Sequence, residues 1–218
     1  MGPISFTVGG RLIADTADLV RRYAGLPWSG GPPEVWAWPY YDLVPSAPDN
    51  TVTPLDVLAA GALHPGLSRR DLAFFVERSA DLAAWLAVVP IDEAQEPATL
   101  WFADDGLLDH VGELARLADG VQLTLLSKVL HRKRPGVVPL LDRHIVDRYR
   151  PVTGERRPIE AWPGVLRGIR DDLASPEDRF VLLMAASEIA RESAGPDGEA
   201  TDLGLLRFID IAVWMESR

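Results

Sequence analysis

Asp142 directly follows a short apolar run, Val137-Val138-Pro139-Leu140-Leu141, and opens a segment in which Leu141, Ile145 and Tyr149 recur at helical spacing. A carboxylate there is favoured by the helix dipole and by free backbone donors, and is expected to stay ionised at pH 7. That placement suits a catalytic or ligand-clamping anion; it equally suits a plain helix cap, or an ion-pair partner of Lys128 or Arg132. Upstream, Leu123, Leu126 and Leu130 share one helical face, while Thr124, Lys128 and Arg132 recur at i, i+4 on the opposite one. His131-Arg132-Lys133-Arg134 then closes the helix before Pro135-Gly136, its charge complementing the helix C-terminus. Such a run is either a solvated helix end or a phosphate contact.

A second candidate surface lies in residues 27–54, where Pro and Gly forbid a long helix. Trp28, Trp36, Trp38, Tyr40 and Tyr41 crowd this segment, so it must either pack on something or line a pocket. Asp210, on a helical face with Leu203, Leu206 and Trp214, reads as a partly buried carboxylate needing a cation, with Arg207 at i−3 at hand. His64, His110 and His144 lack metal-ligand spacing, and Asp105, Asp109 and Glu113 at i, i+4, i+8 read as a solvated acidic face. The sequence carries no Gly-rich phosphate loop, nucleophile elbow or HExxH, so nucleotide-driven enzymes and zinc hydrolases are set aside, and neither a metal nor a cofactor is expected.

These residues must be positioned by a mostly helical chain. Its 218 residues, 47% hydrophobic and 25% charged, suit one domain: an irregular, aromatic-rich part over 1–54 and a helical array over 55–218. A short hairpin is expected where residues 4–8 and 11–13 flank Gly9-Gly10, then a helix over 15–23. Thr53-Pro54-Leu55-Asp56 and Ser68-Arg69-Arg70-Asp71 are two capping signals, the second leading into a long helix through Leu86. An acidic loop over 90–97 follows, then helices near 107–118, 122–132, 141–150, 158–173, 176–192 and 203–216. With no cysteine, no signal peptide and no apolar stretch long enough for a bilayer, the chain is expected to be cytoplasmic, without a membrane partner. The net charge of −10 disfavours a non-specific nucleic-acid coat, though a local basic patch would suffice for binding. Arginine-rich, lysine-poor usage with abundant Ala, Leu, Gly and Pro points to a high-GC bacterial genome.

Helix, Gly-containing hairpin, helix, Pro-rich link and an Asp-initiated helix together resemble the core of the helix-hairpin-helix DNA glycosylases. That resemblance implies a helix-hairpin-helix-like centre in an orthogonal all-α array. It also implies DNA as a partner, held by Gly120, Gln122, Lys128, Arg132, Lys133 and Arg134. Asp142 would then be the catalytic carboxylate of a monofunctional N-glycosylase-like hydrolase, active or vestigial, and Trp28, Trp36, Trp38, Tyr40 and Tyr41 stacking or pocket residues. The sequence departs from the family at Gly120-Val121-Gln122, which lacks the hairpin's second glycine, and at Thr124, where lyase members carry lysine. More of the chain is similar to an uncharacterised bacterial family, through SKVLHRKRPGVVPLLD, DNTVTPLDVLAA and LGLLRFIDIAVWM. The competing expectations are a small-molecule binder or enzyme with an anionic-ligand pocket built from Lys128, Arg132, Asp142 and the aromatic segment, and a non-catalytic interaction module.

Overall fold

Gly9 and Gly10, at φ 56° and 75°, close a two-residue turn between strands β1 (Phe6–Val8) and β2 (Arg11–Ile13), with Val8 paired to Arg11. A side chain at position 9 would lie 2.7 Å from the Arg148 carbonyl, so glycine is required there for both conformation and space. The computed structural model describes residues 3–34, 36–47, 49–64, 66–89, 91, 105–119, 121–194 and 203–218. The acidic loop expected over 90–97 falls outside these apart from Ile91, as does Gly120.

Beyond the hairpin every described element is helical. Helix α1 (Thr16–Tyr23) follows, then a single turn, α2 (Trp38–Tyr41), inside the aromatic segment. Both capping signals form complete capping boxes: Thr53 with Asp56 starts α3 (Pro54–Gly61), and Ser68 with Asp71 starts α4 (Arg69–Glu77). The long helix expected after Ser68 breaks at Arg78, whose φ −98°, ψ 12° leaves the helical region, and resumes as α5 (Ser79–Val88). The helix expected over 107–118 is likewise two pieces, α6 (Asp105–Gly112) and α7 (Leu114–Leu117).

The rest lie within two or three residues of their expected bounds: α8 (Leu123–Lys133), α9 (Arg143–Thr153), α10 (Pro158–Asp172), α11 (Pro176–Ala194) and α12 (Leu205–Glu216). No helix among the described residues is long and apolar enough to cross a membrane.

Helices α8 and α12 form the centre. Residues 205–213 are buried without interruption, as are residues 125–133, so both helices are enclosed on nearly every side. Helix α3 lies on α8, α1 on α12, and α9 is packed against α10. This enclosure decides the fate of Lys128, Arg132, Lys133, Arg207 and Asp210 on the two central helices.

Candidate functional site

The four-residue basic run ends a helix that is buried to its last turn. Arg132, Lys133 and Arg134 are at most 8% exposed, so neither a solvated helix end nor a surface phosphate rim describes them. They bind a strap of chain, whose described residues are 41–47 and 49–50, from inside. Arg132 donates to the carbonyls of Tyr41 (2.7 Å), Val44 (2.9 Å) and Pro45 (3.0 Å), and Lys133 to that of Ala47 (3.2 Å). Arg134 donates to the carbonyl of Asp49 and the side chain of Asn50, and also reaches the carbonyls of Leu86 and Val89 that end α5.

Asp56 supplies the counter-charge, 3.3 Å from Arg132 Nε and 2.9 Å from Lys133 Nζ. Burial raises its carboxyl pKa, but hydrogen bonds from Ser46, Lys133 and Thr53 outweigh that and hold it below the ordinary value. His131, also buried, donates from Nδ1 to the Val138 carbonyl at 2.6 Å; burial pushes its pKa down to about 3. Prolines and missing helix periodicity in the strap are thus offset by cations that satisfy its free carbonyls.

The strap holds the aromatic segment against a cavity of about 890 Å³ between α3, the start of α9 and one face of α12. Trp36 and Tyr40 line it from the aromatic segment, Leu55, Leu58 and Leu63 from α3 and the residues after it, and Ile211 and Trp214 from α12. Trp36 and Trp214 meet edge to face with centroids 5.0 Å apart, and the buried Trp36 indole N–H has no hydrogen-bond partner among the described residues. Of the other aromatics in the segment, Trp28 donates to the Pro32 carbonyl in a surface turn under the Arg22 guanidinium. Trp38 and Tyr41 are core residues, Tyr41 donating to the Lys128 carbonyl at 2.8 Å. The aromatic run therefore divides: two of the five reach the cavity.

The polar floor is Lys128, Asp142, Arg207 and Asp210. Asp142 caps α9, its Oδ1 accepting from the Ile145 amide at 3.0 Å, and it also lines the cavity; Oδ2 has no protein partner among the described residues. Lys128 is 5% exposed and donates to the Leu63 carbonyl at 2.9 Å. It makes no ion pair among the described residues; burial lowers its pKa, opposed by the fields of Asp142 and Asp210.

Arg207 is engaged through all three of its nitrogens. It holds Asp42 through Nε and Nη2 at 2.7 and 2.9 Å, donates from Nη2 to Tyr23 Oη at 2.7 Å, and donates from Nη1 to Asp210, the i−3 pairing expected from the sequence. Burial first, then Asp142, raises the Asp210 carboxyl to about 7, against the opposing pull of Arg207 and Lys128. Two carboxyls and an ammonium thus share the floor, suited to hydrogen bonding a charged guest and to moving a proton.

Four of the expected site residues line this cavity: Trp36, Tyr40, Lys128 and Asp142. Arg132 does not, because it faces the strap; Gln122 is exposed at the start of α8 and is not among the lining residues. The site roles of Arg207 and Trp214 had no local signal beyond the buried-carboxylate pattern around Asp210, since the strap and α12 meet only in the fold.

A family model described as a family of unknown function, DUF6308, matches residues 16–217. No curated protein and no solved structure matches the chain. The match agrees with the resemblance to an uncharacterised family and adds no support to the glycosylase resemblance.

Proposed function

The chain belongs to DUF6308, a family of unknown function, and from the geometry of its cavity we propose that it binds a small molecule with an apolar or aromatic body and a charged head. The observation carrying this is Lys128: a buried ammonium that makes no ion pair among the described residues, anchored by one carbonyl and opening into a roomy, largely apolar cavity. Leu58 and Tyr40, about 60% exposed at the mouth, supply apolar surface that a bound guest would cover.

Tryptophan fluorescence tests this, because Trp36 and Trp214 both line the cavity. A metabolite panel is expected to contain members that shift the emission and raise the melting temperature. Both effects are expected to vanish in Ala62→Trp, which obstructs the cavity from an exposed lining position. A panel that leaves emission and melting temperature unchanged overturns the proposal.

The same geometry leaves the DNA reading little to work with, since Arg132, Lys133 and Arg134 are committed to the strap and Asp56. A salt-sensitive shift of duplex DNA by the wild-type chain would restore that reading, since only phosphate neutralisation produces it. A hydrolytic role for Asp142 depends on what the cavity takes.

A further inference from the structure

The floor of the cavity contains charges of both signs of which only Arg207 and Asp210 are paired with each other; Lys128 and Asp142 are in no ion pair among the described residues. Lys128 has three ammonium donors and gives one to the Leu63 carbonyl. Asp142 and Asp210 are near enough for Lys128 to feel both, yet neither makes an ion pair with it. Asp142 Oδ2 and Asp210 Oδ1 have no protein donor among the described residues. Of the other cations lining the cavity, Arg207 has Asp42, Tyr23 and Asp210 around it and so is not the partner for an incoming anion, and Arg218 lies over the Trp214 ring.

A purely anionic head would satisfy Lys128 but face two carboxyls. A purely cationic head would satisfy the carboxyls and leave the buried ammonium unanswered. We propose, resting on the cavity reading above, that the ligand's head is a zwitterion of the α-amino-acid type. Lys128 takes its carboxylate, Asp142 with Asp210 takes its ammonium, and an apolar or aromatic body runs outward between Trp36, Leu58 and Tyr40. A site built to hydrogen-bond both groups rejects analogues that lack either one.

Three probes with one indole body separate the possibilities by calorimetry at pH 7.5: tryptophan, tryptamine and indole-3-propionate. Tryptophan is expected to bind about tenfold more tightly than either single-charge analogue, each unmet charge costing that much. Lys128→Met is expected to reduce tryptophan to the affinity of tryptamine, and Asp142→Asn to reduce it to that of indole-3-propionate. Ala62→Trp is expected to abolish all three. The wild-type comparison needs no variant to fold, and circular dichroism checks the variants.

A single-charge analogue that binds as tightly as tryptophan, and is still blocked by Ala62→Trp, overturns the zwitterion and leaves the cavity reading intact. The same holds if no indole probe binds while other panel members do. Silence from both the probes and the panel overturns both.

Discussion

Asp142 combines two tasks that substitutions can separate. Its Oδ1 caps α9 through the Ile145 amide while the carboxylate contributes negative charge to the cavity floor. Asparagine caps a helix as well as aspartate, so Asp142→Asn is expected to keep stability within about 0.5 kcal/mol of wild type while weakening a ligand that carries an amine. Asp142→Ala loses both functions and is expected to cost about 1 kcal/mol in addition. Urea melts of the two variants, set beside ligand titrations, check this: equal destabilisation by both would mean that the charge, not the cap, holds the helix. Lys128 differs in kind. Its ammonium is buried with no ion pair among the described residues, so Lys128→Met is expected to leave stability unchanged or raise it while removing anion recognition.

The two capping boxes show how one local pattern acquires two energetic meanings. Thr53/Asp56 and Ser68/Asp71 satisfy the same donors in the same way. Asp71 does so at the surface, and Asp71→Ala is expected to cost about 1 kcal/mol. Asp56 is buried beneath Arg132 and Lys133, so Asp56→Ala leaves Arg132 without an ion pair and Lys133 with only the exposed Asp49 at 3.2 Å, and is expected to cost about 3 kcal/mol. Denaturant midpoints for the pair measure the contrast, and equal costs would deny Asp56 its role under the strap.

Helix starts were legible because caps are local, and so was the stretch from α8 to α9, with Asp142 at a helix mouth. The break at Arg78 was not, since nothing in the sequence around it departs from helical spacing. Nor was the burial of the basic run. A row of cations reads as solvent-facing unless the chain that wraps it is known, and residues 41–50 lie more than 80 positions away from it. For the same reason the pairing of the aromatic segment with α12 was invisible. The aromatic residues were evident as a group, but which of them face the cavity is set by contacts made only in the fold.

Across the whole molecule, two buried groups on the central helices set opposing dependences on pH. His131 has its pKa pushed from 6.5 to about 3, chiefly by burial, so the unfolded chain takes up a proton that the fold refuses. Its stabilising contribution is complete above 6.5 and drains away as pH falls toward 3. Asp210, raised from 3.8 to about 7 chiefly by burial, behaves the other way: the fold keeps a proton that the unfolded chain releases. That contribution is present below 3.8 and is lost as pH rises to about 7. Arg207 on its own helix, Lys128 from α8 and Asp142 at the start of α9 face this carboxyl, and the shift is the net of their fields and burial.

Between 3.8 and 6.5 the two slopes oppose each other. Wild type is therefore expected to be nearly flat in stability over that range and to weaken from there to about pH 7.5. Asp210→Asn removes the falling component, so its stability is expected to climb from pH 4 to 6.5 and then level off. The gap between the two curves should change by on the order of a few kcal/mol from the acid end to the neutral end. Urea midpoints at half-unit pH steps check this, and parallel curves would mean that Asp210 titrates where an exposed carboxyl does. A guest amine seated on Asp210 favours its ionised form and so lowers its pKa. Tryptophan is therefore expected to stabilise the chain more at pH 8 than at pH 6, and Asp210→Asn to erase that difference.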